Sequence, residues 1–407
     1  MREARILMRL RPSAESLAVF TRPLLTCCAI TALIHAATYM LMALLPIHLV
    51  RLGGTKMQVG MLFSVSTLIS MVLRPVVGGW IDRFGVRPVI LPGVLTLAAT
   101  SLAFHFAATP TGVVALMAGL GVSNGLISTS ASVLAAQVTA PERRGEALSV
   151  YYVATSLGFA AGAPTGFALL GVGGMRLNFL VVTGAAVLMS GLALSLRGPE
   201  KPEAATAAAP GFRLWSRAAL PAAGALILTI MGHSSVYGFL PLYAIANGAG
   251  RHVGWFFTLF SVWIIVCRLV LRRISDRLGR TRVLIPAMGA TAAGYLVLTQ
   301  PPTAASLAVA AVLLATGGSV LYPTLLALVV DRAPARERGL AVGTLSGAFD
   351  LGVVVGSLLL GLVVEQLSYG AGFAMAATTT VLGLLAFVAM ERRRLRPAVL
   401  RQPFSGV

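Results

Sequence analysis

The chain has 407 residues, 57% of them apolar or aromatic and only 11% charged. A soluble domain carries about 25% charged residues, so these few cannot cover a water-facing surface; a soluble multi-domain enzyme, a disordered chain and a disulfide scaffold are excluded, and lipid is the main solvent. The net charge of +19 comes from 32 Lys and Arg against 13 Asp and Glu, but the bases lie in short clusters between apolar runs, which is a positive-inside pattern and not a nucleic-acid footprint.

Five arginines (Arg2, Arg5, Arg9, Arg11 and Arg22) precede the first apolar run, Leu24 to Val50. That run is too long for a signal-peptide core and lacks a small-residue cleavage site, so it is predicted to be a retained membrane helix. Further spans are predicted at 57–80, 88–108, 111–138, 146–170 and 177–196. After a polar Pro/Ala-rich stretch come spans at 218–245, 253–272, 283–300, 303–330, 340–364 and 370–390. Each holds about the 17–25 residues needed to cross a hydrocarbon core of ~30 Å. The expected organisation is an N-terminal segment 1–22, a six-helix half 23–196, a linker 197–216, a second six-helix half 217–390 and a tail 391–407. Twelve spans put both termini on one side. About 26 of the bases fall on that side and only Arg51, Lys56, Arg176 and Arg251 on the other, so the termini and the linker are expected in the cytoplasm.

Cys27, Cys28 and Cys267 fall in apolar runs and make neither a disulfide framework nor a metal-ligand spacing. No HExxH, paired CxxC, P-loop or GxGxxG occurs. No metal, cofactor or ATP hydrolysis is expected, and a membrane-embedded enzyme lacks convergent nucleophile or metal residues.

The two halves align at one offset, 194 residues. Arg74, Asp82, Arg83, Gly85, Val89 and Pro92 match Arg268, Asp276, Arg277, Gly279, Val283 and Pro286. Arg144, Gly145 and Ala147 match Arg338, Gly339 and Ala341; Gly158, Gly162 and Phe179 match Gly352, Gly356 and Phe373. Shared membrane composition produces scattered glycine matches but not charged ones. Two parallel six-helix halves joined by a cytoplasmic linker are the layout of a rocker-switch carrier, with the substrate expected between the halves near mid-membrane.

The stretch Gly78-Gly79-Trp80-Ile81-Asp82-Arg83-Phe84-Gly85-Val86-Arg87 resembles the loop 2–3 motif of the major facilitator superfamily, and Ser275 to Arg282 resembles its second-half copy. Pro141-Glu142-Arg143-Arg144-Gly145 is similar to its loop 4–5 pattern. The resemblance implies an all-α integral membrane fold of twelve helices in two pseudo-symmetric halves. Asp350 to Gly356 and Leu321-Tyr322-Pro323-Thr324 resemble the drug–proton antiporter branch, and are similar to exporters of opine-type metallophores such as staphylopine. Two positions depart from that branch: Gly121 stands where a helix-4 arginine is usual, and Pro164 is displaced by one within the helix-5 pattern.

Several polar residues are candidates for the work of transport. By the resemblance, Gly78, Asp82, Arg83, Gly85 and Arg87, with Asp276, Arg277 and Gly279 in the second half, form gating motifs, Asp82 facing the positive N-terminal end of the eleventh helix. The plainer alternative is a topology signal. Arg74 and Arg268 lie eight residues, about 12 Å, before the motif acids and so inside the hydrocarbon; they either pair with an anion or snorkel. Asp350 is the one acid deep within a span and is the proton-coupling candidate, with Arg74; a permanent ion pair is the alternative. His35 and Tyr39, and likewise His233 and Tyr237, are four residues apart and share a helix face. With Asn124, Arg268 and Tyr322 they are candidate cavity residues, or else interhelical hydrogen-bonding groups. The expected activity is proton-driven efflux of a small organic molecule by a monomeric carrier in a bacterial cytoplasmic membrane. Its partners are substrate, protons and lipid; uptake by symport and a non-transporting sensor of the same fold are the alternatives.

Overall fold

The computed structural model describes residues 21–138, 144–196, 215–334 and 337–395. The N-terminal arginines before Thr21, Pro141 to Arg143, nearly all of the linker and the tail beyond Leu395 lie outside them. Among the described residues every regular element is helical. In a chain this apolar that follows from lipid, which offers backbone N–H and C=O groups no partners, so each segment must satisfy its own.

The first unit, Met1–Ala208, opens with α1 (Arg22–Arg51), α2 (Lys56–Phe84), α3 (Val86–Ala103) and α4 (Pro110–Gln137). The helical run Arg144–Ser195 is broken at Gly174, whose φ of 67° no ordinary helix holds; it supplies α5 (144–173) and α6 (175–195). The second unit, Ala209–Val407, holds α7 (Leu220–Ala246), α8 (Val253–Leu278), α9 (Arg280–Val297), α10 (Ala304–Arg332), α11 (Arg338–Gln366) and α12 (Tyr369–Leu395). These are the twelve expected helices. The last runs past the expected end of the half at 390.

The sequence offset returns as geometry. Helix α3 shifted by 194 coincides with α9 at both ends, and α4 and α5 shifted likewise begin where α10 and α11 begin. Thr109 caps α4 and Thr303 caps α10, each side chain accepting from the backbone N–H three residues on, at 3.2 and 3.1 Å. Gly85 (φ 83°) and Gly279 (φ 90°) join α2 to α3 and α8 to α9. A side chain is strained in that left-handed region, so glycine is what lets each motif turn without a linker. Helix neighbours repeat too: α2 and α3 pack on α4 as α8 and α9 pack on α10, and α5 packs on α1 as α11 packs on α7.

The glycine pairs explain that last contact. Cβ atoms at Gly158 and Gly162 would overlap the α1 backbone at Ala32 and Ala36, and at Gly352 and Gly356 the α7 residues Ile230 and Met231. Small residues let two helices meet backbone to backbone where lipid supplies no hydrophobic drive. Cys27, Cys28 and Cys267 are buried and unbridged.

One element departs from the expected pattern. The seventh span, foreseen as one helix over 218–245, contains a π-helical turn, Ser235–Phe239. Its cause is local. Pro241 has no N–H to offer the Tyr237 carbonyl, and the Ser235 hydroxyl donates to the Gly232 carbonyl at 2.6 Å, competing with the regular ladder.

Candidate functional site

The widest cluster of predicted residues lies in the second unit. The π turn begins two residues after His233 and contains Tyr237, with the two rings 5.4 Å apart. His233 also meets Phe349 of α11 at 5.9 Å. Tyr322 of α10 packs edge-on against the same Phe349 at 5.3 Å, and its hydroxyl shares a 2.9 Å hydrogen bond with Ser346. Tyr237 in turn stacks on Phe257 of α8 at 5.5 Å. Two predicted cavity residues from two helices, His233 of α7 and Tyr322 of α10, thus converge on one phenylalanine of a third, and Tyr237 joins them through His233. Phe349 and Ser346 were not among the candidates, although both flank the one acid expected deep in a span.

That acid, Asp350, is 5% exposed. It is the thirteenth residue of α11, about 18 Å from its start, and shares a helix face with Ser346 one turn back. A carboxylate so placed is costly unless partnered, hydrated or protonated. Arg268 of α8 is partly buried.

In the first unit the candidates have separate partners. The His35 Nδ1–H donates to the Thr31 carbonyl at 2.8 Å, which leaves Nε2 as the acceptor. Tyr39 packs on Phe159 of α5 with centroids 4.0 Å apart. Asn124 donates from Nδ2 to Thr38 Oγ1 at 3.0 Å, tying α4 to α1. Arg74 is partly buried on α2, just before Pro75.

At the motif, Asp82, Arg83 and Arg87 are exposed, and the Arg83 guanidinium lies over the Phe84 ring at 5.2 Å. Asp82 stands in the last turn of α2. There the helix dipole disfavours an anion, so its own helix gains nothing from it. A β-carbon on Gly78 would meet no atom within 4 Å, so that glycine is not a packing residue in this unit. Asp276 and Arg277 fall in the last turn of α8, within 271–278, and their side chains lie outside the described residues.

One polar cluster escaped the sequence reading. Arg332 at the end of α10 grips Glu391 of α12 with both nitrogens, at 2.7 and 2.8 Å. Thr281 of α9 donates to the same carboxylate at 3.0 Å, and Arg280 pairs with Asp331 at 2.9 Å. The expected boundary at 390 leaves Glu391 in the tail; it lies instead within α12 and is 8% exposed. Its only sequence signal is an acid directly before an arginine run. The 194-offset positions of the first unit are Gln137, Val138, Arg87, Val86 and, for Glu391, Arg197, none of them an acid, so the sequence carries this clamp in the second unit alone. Trp263 donates to Thr316 Oγ1 at 2.9 Å and braces α8 on α10.

Two copies of a six-helix membrane unit, with polar and aromatic residues meeting at a break in a buried helix, define an all-helical membrane carrier. The Major Facilitator Superfamily profile matches residues 27–251 and 222–405, and the chain belongs to that superfamily. It is 25% identical over 333 residues to an uncharacterized MFS-type transporter of Salmonella typhimurium, covering 80% of this chain and 85% of that protein. It is 26% identical over 324 residues to a chloramphenicol efflux pump of Mycobacterium tuberculosis, covering 76% and 77%. The crystal structure of nucleoside transporter NupG shares the fold, with a TM-score of 0.70 at 14% identity over 91% of this chain and all of that one. The protein is a multi-pass membrane transporter of a small molecule, not an enzyme.

Proposed function

We propose that the chain exports a small organic molecule from the bacterial cytoplasm in exchange for protons, by alternating access of its two units. The observation that carries this reading is the burial of Asp350 within a 29-residue membrane helix, beside the His233–Phe349–Tyr322 cluster. A carboxyl group in the middle of a membrane helix is a functional group by default, and it can carry a proton taken up on one side and released on the other. The aromatic rings and the Tyr322–Ser346 hydrogen bond offer a flat, weakly polar surface for an organic substrate. Asp82, held where its own helix gains nothing from it, is the gating group, with Arg83 and Arg87. The basic loops support cytoplasmic termini.

The chloramphenicol efflux pump among the relatives favours export and the drug–proton antiporter branch over uptake. Within that branch, the stretches Asp350–Gly356 and Leu321–Thr324 keep opine-type metallophores among the candidate substrates. The test is reconstitution into proteoliposomes with an imposed pH gradient. Chloramphenicol and an opine-type metallophore serve as probes, and proton movement is followed by an entrapped pH dye. Coupled, opposite fluxes are expected. Substrate flux that ignores the gradient, or that runs with the protons, would overturn the exchange mechanism.

A further inference from the structure

At the end of the first unit opposite its gating motif, two histidines close on one ring. His48, in the last turn of α1, meets Phe179 of α6 edge-on at 5.7 Å. His105, just past α3, meets the same ring at 5.4 Å. Phe104 stacks on Phe179 at 5.5 Å and seals the floor. His48 Nε2 and His105 Nδ1 are both buried and have no hydrogen-bond partner. A buried polar atom left unpaired is costly, so two on one contact need an explanation.

The second unit shows what a permanent closure looks like. Phe373, the 194-offset equivalent of Phe179, is met by Tyr243 at 5.4 Å. The Tyr243 hydroxyl donates to the Gln300 carbonyl at 2.7 Å. That closure is neutral and satisfied. The first unit builds the same contact from groups that can charge.

The charged residues around the pair are all cations. Arg51 follows His48 by three residues on α1 and is exposed; Arg176 precedes Phe179 by three on α6 and is exposed; Lys56 begins α2. The elements of α3 and α4 that flank His105 bring no charge. The described carboxylates of this unit, Asp82 and Glu146, sit at the motif end of α2 and in the first turn of α5. Among the described residues of this unit, a protonated imidazole here faces cations and no carboxylate.

We propose that His48 and His105 form a proton-sensing latch on Phe179, closed when both rings are neutral and released when the outer medium turns acid. This rests on the orientation proposed above, which puts this end outside. The sign follows from linkage: the closed form binds fewer protons, so closure strengthens as pH rises and weakens as pH falls. Each proton the closed form excludes steepens that dependence, so two histidines make it steeper than one.

The test uses full-length protein in nanodiscs with Cys27, Cys28 and Cys267 replaced by alanine and spin labels on cysteines at Val50 and Phe106. The label separation is read from pH 8 to pH 5 (about 1.5 units either side of the imidazole value). A lengthening centred in the imidazole range is expected. It should vanish in the double variant His48→Phe, His105→Phe, which keeps rings on Phe179. Should that variant not be monodisperse, His48→Gln and His105→Gln singly are each expected to give a shallower pH dependence of the separation than the parent. A separation that stays flat in the parent, or that titrates unchanged in the variants, overturns the latch. The labels report on this unit alone. A failed latch therefore leaves proteoliposome exchange intact, whereas a failed transport reading abolishes exchange and leaves the titration.

Discussion

Replacing Gly356 by alanine probes the contact that joins α11 to α7. The new Cβ would stand 2.7 Å from the Met231 carbonyl carbon, with the Cα and oxygen of that residue nearer still. Carbon atoms rest about 3.5–4.0 Å apart, so the two helices must separate by about 1 Å. Overpacking costs about 1–3 kcal/mol. The upper part of that range applies, because the obstacle is backbone and has no rotamer to change. Gly347→Ala on the same helix is the control, since its Cβ would meet no atom within 4 Å. Both substitutions gain the same helix propensity, about 1 kcal/mol, so their difference isolates the contact at about 2–3 kcal/mol. Unfolding of membrane proteins in detergent is often irreversible, so the quantity to read is the melting midpoint at a fixed heating rate. Gly347→Ala should match or exceed the parent, and Gly356→Ala should melt about 5–10 °C lower. Gly162→Ala should reproduce the loss in the first unit, where its Cβ would stand 2.5 Å from the Ala36 carbonyl oxygen. Equal midpoints for Gly356→Ala and Gly347→Ala would refute the argument that glycine is there to let backbones meet.

The Glu391 clamp gives a second prediction. Removing one partner of a buried ion pair costs about 3–5 kcal/mol, so Glu391→Gln should lower the melting midpoint, and adding Arg332→Gln should cost little more; additive losses in that cycle would mean the pair is not coupled. Asp82→Asn should leave folding and membrane insertion unchanged and slow exchange about tenfold, equivalent to ~1.4 kcal/mol, as measured by initial rates in proteoliposomes; unimpaired rates would remove the gating role. Asp350→Asn should bind substrate but lose the pH dependence of exchange, and a variant whose pH profile overlays that of the parent would move proton coupling to another residue.

Much of this architecture is legible in the residues because lipid imposes few solutions. Apolar runs of the right length must be helices, and basic loops mark their turns. The charged matches Asp82–Asp276 and Arg74–Arg268 reveal the duplication because membrane composition does not generate them. Gly158, Gly162, Gly352 and Gly356 stand out as matched pairs, and the structure supplies their reason in a helix contact. What stayed hidden depends on long-range partners. The break in α7 needs Ser235 and Pro241 to act together, and a proline near a helix end carries no such meaning alone. Phe349 is one phenylalanine among 17 until His233 and Tyr322 are placed on it. Glu391 reads as a tail residue until Arg332, 59 positions away, is found on it.

The departures from the repeat are more informative than the repeat. Positions that match across the offset set the shape: the motif glycines, the threonine caps and the glycine contacts. None of them distinguishes one unit from the other. The π turn, the Glu391 clamp and the buried Asp350 occur in the second unit. Asp350 has Ser156 as its counterpart in the first, and α1 runs without a described break where α7 is interrupted. The first unit instead carries His48 and His105 on Phe179 where the second has a tyrosine bonded to a loop carbonyl. Two units of one shape with different titratable groups respond differently to the same proton concentration. On the coupling and the latch proposed above, protonation at Asp350 and at the two histidines on Phe179 would bias different units.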